Sequence, residues 1–191
     1  RQGGCMSTNT RALVPLAEGF EEMEAVIVVD VLRRGGVEVD VAGLAGAGAV
    51  LGSRGVTVHA ERDLDDCLEV DYDAVVLPGG MAGTLAMRDD ERVLAAVRSQ
   101  ARAGRLVAAV CAAPLVLERA GLLTGRTATS HPSVADELGH AGVARGEGRI
   151  VCDGGVLTSL GPGTAMEFAL AVVEELRGPG VAREVADAMC V

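Results

Sequence analysis

Leu106-Val107-Ala108-Ala109-Val110-Cys111-Ala112-Ala113-Pro114 is the stretch on which the reading of this chain turns. A run of small and branched apolar residues ends in a single cysteine. Such a run has the length of a fully buried strand and is too short to span a membrane. Pro114 and the following Leu115-Val116-Leu117-Glu118-Arg119 read as a helix, since proline is tolerated in a first helical turn. Cys111 therefore falls on a strand-to-helix turn, the placement of a nucleophile elbow. Ala112 and Ala113 leave room in a crowded bend. The free N–H groups and partial positive charge of a helix N-terminus favour a thiolate there. A buried structural cysteine fits the same residues, because free cysteine is among the most buried residue types.

The 191 residues suffice for one domain with a full core. Hydrophobic residues make up 49% but aromatics only 2%. The core must then be built from Val, Leu, Ala and Ile, which suits a parallel sheet covered by helices. A net charge of -10 argues against nucleic acid or an anionic membrane as the main partner, and leaves room for a small local anion site. The cysteines, Cys5, Cys67, Cys111, Cys152 and Cys190, are odd in number and form no C-x-x-C pair. Free thiols in a reducing cytoplasm are the expectation. No stretch reaches membrane-span length. Arg1–Cys5 lacks the apolar core of a secretory signal, and Met6 is a candidate natural start. Residues 1–9 are read as a flexible extension and 10–191 as a single domain.

Working outward from the elbow, strands and helices alternate. Arg11–Leu16 reads as a first strand with Pro15 near its end. An acidic turn, Glu21-Glu22-Met23-Glu24, enters a helix that runs to Arg34 and stops at Gly35-Gly36. Val37–Ala42 alternates as a second strand. Residues 43–49 read as a loop, Val50–Leu51 and Val56–His59 as a small hairpin, and Asp63–Val70 as a short helix. Asp73–Leu77 is another buried strand, leading into a glycine loop, Pro78–Gly83. Glu91–Arg102 is an amphipathic helix closed by Gly104. Beyond the elbow, Arg126–Ser130 reads as a short strand before His131-Pro132. Asp153-Gly154-Gly155 joins the hairpin strands Ile150–Cys152 and Val156–Ser159. Thr164 is the expected N-cap of a helix over Ala165–Arg177, and Val181–Met189 a last short helix. The alternation predicts an α/β three-layer architecture with a mostly parallel sheet.

In such sheets ligands bind beyond the carboxyl ends of the strands. The acidic turn leading to Glu24, the Gly79-Gly80 loop, Cys111 and His131 all belong there. Gly80 and Ala112 offer N–H groups to a developing oxyanion, although Gly80 also reads as a plain tight turn. Glu24, in an apolar helix start, is either a buried proton-bearing carboxyl or a solvated helix-face residue. His131 is either a proton relay or a loop and capping group. His140, among glycines, reads as a loop residue, and His59 lies on the small hairpin. No metal-binding pattern and no phosphate-binding glycine fingerprint occurs.

The ordered motifs Ala17–Glu24, Asp30–Gly36, Val41–Leu44, Leu77–Gly80, Val110–Pro114, Ser130–Pro132 and Thr158–Thr164 resemble the ThiJ/PfpI superfamily, specifically its parkinsonism-associated deglycase branch. The resemblance runs from Arg11 to about Ala186. It implies a flavodoxin-like sandwich and a homodimer. It implies that Cys111 is the reactive thiol, Glu24 its proton-sharing partner and His131 a neighbour. Gly80 and Ala112, with Gly79 beside them, would be oxyanion and substrate-binding positions. Arg34 and Arg54 would form an anion site near the dimer interface. The branch includes glutathione-independent glyoxalases, deglycases of glyoxal-modified amines and oxidative-stress sensors. The implied substrate is a small dicarbonyl, free or as an early adduct of an amine or thiol, and no cofactor is implied. Ala113 stands where some relatives have glycine. His59 stands where some carry a second cysteine, so redox signalling through that position is not expected.

Overall fold

The computed structural model describes residues 9–191, so the extension read over residues 1–9 lies, but for Asn9, outside the described residues. In chain order the elements are β1 (Arg11–Leu16), α1 (Glu22–Arg34), β2 (Glu38–Gly43), β3 (Gly48–Leu51), β4 (Thr57–Ala60), β5 (Arg62–Asp63) and β6 (Ala74–Leu77). There follow α2 (Met81–Arg88), α3 (Glu91–Arg102), β7 (Leu106–Val110), α4 (Pro114–Arg119), β8 (Thr127–Ala128) and α5 (Pro132–His140). The chain ends with β9 (Ala144–Arg145), β10 (Ile150–Asp153), β11 (Val156–Ser159), α6 (Ala165–Arg177) and α7 (Pro179–Ala188).

Seven strands form the main sheet in the order β10-β11-β7-β6-β1-β2-β5. Within it, only the β10–β11 hairpin is antiparallel. The expected mostly parallel sheet and three-layer sandwich are thus present. Both faces are covered, so side chains of opposite parity enter two separate cores. Ala12, Val14, Leu16, Ala108 and Val110 meet α1, α6 and α7 through Val28, Leu32, Phe168, Val172 and Val185. Leu13, Val107 and Ala109 face Met87, Val93, Val97, Leu115 and Leu138 of α2 to α5. Pro15 is tolerated because β6 pairs with β1 only at Ala12 and Leu13, short of the proline.

Several local expectations are corrected. The loop over 43–49 closes early, because Gly48 and Ala49 already pair with Ala60 and His59. The helix expected over Asp63–Val70 shrinks to one 3₁₀ turn, Asp65–Cys67, preceded by the edge strand β5. The glycine loop ends at Gly80, and α2 starts at Met81 with Gly83 inside it. A side chain at Gly83 would press on the Phe20 backbone at 2.9 Å, so this glycine serves close packing rather than a loop. His140 is the last residue of α5 rather than a loop residue, and Val134 and Leu138 are that helix's buried face. Thr164 makes no side-chain cap to α6.

Candidate active site

β1, β6 and β7 lie side by side and parallel, so their carboxyl ends open on one edge of the sheet. The turn after β1 is pinned there. Glu21 N–H donates to the Gly79 carbonyl at 2.9 Å, and the Glu21 carboxylate caps α1 by accepting from Glu24 N–H at 2.8 Å. Gly80 has φ +88°, and a Cβ on it would collide with the backbone of Gly19 and Phe20. Only glycine allows the two turns to approach so closely.

Cys111 leaves β7 with φ 64°, a left-handed conformation that is rare for a side-chain-bearing residue. It is fixed from both sides. Its N–H donates to Ser159 of β11 at 3.0 Å, and its carbonyl accepts from His131 N–H at 2.8 Å. Holding a non-glycine residue there costs on the order of 1–3 kcal/mol, the kind of strain that gathers at functional sites. The half-buried sulfur meets the N–H groups of Gly80 and Ala112. Burial pushes the Cys111 thiol up, the Glu24 charge adds to this, and the two N–H groups oppose it.

Glu24 has no solvent exposure. Its Oε2 accepts from Gly79 N–H at 2.7 Å, while Oε1 is buried without an ordinary hydrogen-bond partner. Burial pushes its pKa up to about 7, and the neighbouring Glu21 charge adds to this. Charge and hydrogen bonding couple it to the Cys111 thiol. A carboxylate oxygen with nothing to accept is costly, whereas a protonated carboxyl makes it a donor. The two groups therefore compete for a single negative charge. Gly79 is not free for a ligand, because its N–H is already given to Glu24. A Cβ on Gly79 would press on Cys111 Cβ at 2.6 Å, which explains the glycine.

His131 is the N-cap of α5. Its Nδ1 accepts from Ser133 N–H at 3.2 Å and lies 2.8 Å from Ser133 Oγ. A backbone N–H only donates, so the neutral ring carries its proton on Nε2. Of the two sequence readings, the capping role is present, and the residue also adjoins the elbow through its N–H bond to the Cys111 carbonyl.

Arg34 and Arg54 do not join the site within one chain. Arg34 lies ten residues beyond Glu24 on α1, roughly 15 Å along the axis at the helical rise, and pairs with Asp30 at 2.8 Å. Arg54 is exposed at the tip of the β3–β4 hairpin and makes no ion pair among the described residues. The hairpin tip is strapped to α1 by Glu22, whose carboxylate accepts from Ser53 Oγ and from the N–H groups of Arg54 and Val56. Burial pushes Glu22 up, but its own backbone N–H together with these donors outweighs it and holds the carboxyl below its ordinary value.

Two contributors escape a sequence reading. One is Glu22, hidden among the three glutamates of Glu21-Glu22-Met23-Glu24. The other is the Gly161 turn, which reads as a helix opener and lies beside both His131 and Cys111. Thr164 Oγ1, instead of capping α6, bonds Gly161 N–H at 3.1 Å and Ser159 Oγ at 2.6 Å, cinching the turn.

An α/β sandwich that forces one cysteine into a left-handed turn at the end of a parallel strand is a nucleophile-elbow thiol protein. The chain belongs to the DJ-1/PfpI family, whose model matches residues 10–175. It is 46% identical to Protein dj-1beta of Drosophila melanogaster over 180 residues, covering 94% of this chain and 96% of that one. The crystal structure of that DJ-1beta superposes with a TM-score of 0.91 at 44% identity, over 96% and 98% of the two chains. The chain is 33% identical to glutathione-independent glyoxalase DJR-1.2 of Caenorhabditis elegans, over 97% and 99% of the two chains. A structure titled Toxoplasma gondii DJ-1, oxidized, matches with a TM-score of 0.90 at 38% identity, over 95% and 98%.

Proposed function

We propose that this protein is a glutathione-independent glyoxalase that converts methylglyoxal or glyoxal, free or as early amine and thiol adducts, to the 2-hydroxy acid. The observation that carries this reading is the buried Glu24 carboxyl coupled to a strained elbow thiol. Loss of the Cys111 proton gives a thiolate facing the N–H groups of Gly80 and Ala112. The sulfur adds to the aldehyde carbon, and the carbonyl electron pair moves to oxygen, where the same N–H groups hold it. Glu24, protonated beside the thiolate, gives its proton to that oxygen; the carboxylate so formed takes the proton from the carbon and returns it to the neighbouring carbon, through an enediolate whose hydroxyl proton restores the acid. The oxidation of one carbon balances the reduction of the other, leaving a thioester. Water cleaves it to the hydroxy acid and restores the thiol, with His131 Nε2–H assisting proton movement. No external oxidant or reductant is consumed. A protein of this name at 33% identity over nearly the full length supports the assignment.

The experiment is incubation with methylglyoxal without glutathione, following lactate by NMR, beside a Cys111→Ser control. Lactate from the unaltered chain alone supports the reading. Its absence from a folded, reduced protein overturns it.

A second reading, an oxidation sensor, draws on the half-buried sulfur, its two N–H donors and the relative titled as oxidized. There peroxide converts the thiolate to sulfinate, held by protonated Glu24. Intact mass after peroxide treatment tests it by the gain of two oxygens on Cys111. The working unit under either reading is a cytoplasmic homodimer of the single domain 10–191. Apolar side chains left outside on α1 and the β3–β4 hairpin support the pairing. An anion role for Arg34 and Arg54 belongs to that dimer.

A further inference from the structure

The buried glycines of this fold have a common explanation, with one exception. A Cβ at Gly35, Gly43, Gly52, Gly79, Gly80 or Gly83 would come within 2.9 Å of an existing atom. Gly161 is buried too, yet its φ of 160° is extended backbone open to any residue. A Cβ there would meet only His131 Cδ2 at 3.4 Å and Cys111 Sγ at 3.9 Å, both ordinary contacts. Among the described buried glycines it alone is required neither by backbone conformation nor by a clash. What a side chain would remove at this position is open space between the nucleophile and the imidazole.

We propose that Gly161 is the specificity-determining position of the site, its bare α-carbon admitting the substituent carried by the electrophile that Cys111 attacks. This rests on the reading of Cys111 as the nucleophile. The turn is held in place by buried hydroxyls: Thr164 Oγ1 accepts from Gly161 N–H, and Ser159 joins Thr164 at 2.6 Å. Ser159 also accepts the Cys111 N–H through its carbonyl. The wall of the gap and the sulfur are thus fixed to the same residue, so the gap cannot widen freely. A small electrophile bearing hydrogen or methyl beside the reacting carbon fits, and a bulkier one competes with any side chain at residue 161.

The test is Gly161→Ala, with Gly163→Ala as control, since a Cβ at Gly163 meets nothing within 4 Å. Alkylation of Cys111 is timed with iodoacetamide and with 2-iodopropanamide, which adds one methyl at the reacting carbon. Each rate is divided by that of free cysteine. Gly161→Ala is expected to slow 2-iodopropanamide by about tenfold more than iodoacetamide, the discrimination one methyl group gives in a tight pocket. Gly163→Ala leaves the ratio unchanged, and thermal melts confirm that both variants fold. An equal slowing of both reagents, or none, overturns the proposal. Because the readout is thiol labelling, it is independent of turnover. Size discrimination without lactate production upholds the gap and refutes the glyoxalase reading. In turnover, Gly161→Ala is expected to reduce phenylglyoxal conversion more than glyoxal conversion.

Discussion

At the scale of single residues, the site depends on two groups kept in states that water would not favour. Glu24 ordinarily titrates near 4.5 and is raised to about 7 by burial. The unfolded chain therefore releases this proton first as pH rises. Glu24 costs the folded protein nothing below pH 4.5, and that cost grows through the interval up to about pH 7. At 1.36 kcal/mol per pKa unit the full penalty is about 3 kcal/mol. Glu24→Gln copies the protonated carboxyl, accepting from Gly79 N–H and donating from its amide. Urea melts across this range should show the unaltered protein losing stability relative to the variant as pH rises; parallel curves would refute the assignment. The same variant should keep a reactive thiol towards iodoacetamide yet lose lactate formation by about 100-fold, because only proton transfer is removed. Cys111 gives a second comparison. Alanine keeps the left-handed strain and glycine relieves it, so Cys111→Gly should be more stable than Cys111→Ala by about 1 kcal/mol in thermal unfolding. Cys111 and Glu24 were both legible in the sequence. The strand-to-helix pattern placed both at the carboxyl ends of the strands, yet a buried structural cysteine and a solvated helix-face glutamate fitted the same residues, and it was the family resemblance that singled them out. Gly161 was not legible, since its neighbours Cys111 and His131 lie 50 and 30 residues away.

At the scale of elements, what holds the site together is a set of short turns clamped to one another. Glu22 ties the hairpin tip to the start of α1, two residues before Glu24. Its folded-state value is lowered, so the clamp is fully formed above its ordinary value and is released only as pH falls through the lowered, folded-state value. Glu22→Ala should speed hydrogen exchange at the Arg54 and Val56 amides at neutral pH. Acidification should do the same in the unaltered protein and have little further effect in the variant. Unchanged protection in the variant would show that the hairpin is held by its own pairing alone. Elements with strong periodicity, such as α3 and the central strands, were readable from their patterns. Those with mixed signals were not. α2 was masked by Gly83, a glycine needed for contact with Phe20 rather than for a turn. α5 was masked by Gly139 beside its last residue, although Val134 and Leu138 carry the helical spacing. The Asp63–Val70 stretch carries acidic residues suited to a helix start, yet Arg62 and Asp63 are taken up in pairing with β2.

At the scale of the whole molecule, the architecture followed from composition because a core nearly free of aromatics must come from Val, Leu and Ala on a sheet covered on both sides. The same logic identifies what one chain leaves unfinished. The inner face of α1 is buried through Ala25, Val28, Val31 and Leu32, yet Met23 and Val26 on its outer side are 55% and 48% exposed. Leu51 and Val56, on the hairpin that Glu22 straps to the same helix, are 49% and 54% exposed. Scattered exposed apolar residues need no explanation, but four on two clamped elements form a surface suited to a second copy. A two-fold contact uses the same patch on both copies, so a charge at Val26 enters the interface twice. Val26→Asp should therefore convert a dimer to a monomer in sedimentation velocity, with little change in the far-UV spectrum because the residue is outside the core. If the variant still sediments as a dimer, the pairing runs through another face. If the unaltered protein is a monomer, α1 needs no partner. Should monomerisation also lower lactate formation with Cys111 labelling unchanged, the α1 surface would matter to turnover beyond supporting the elbow. That result would direct attention to Arg34 and Arg54, which no single chain brings to the sulfur.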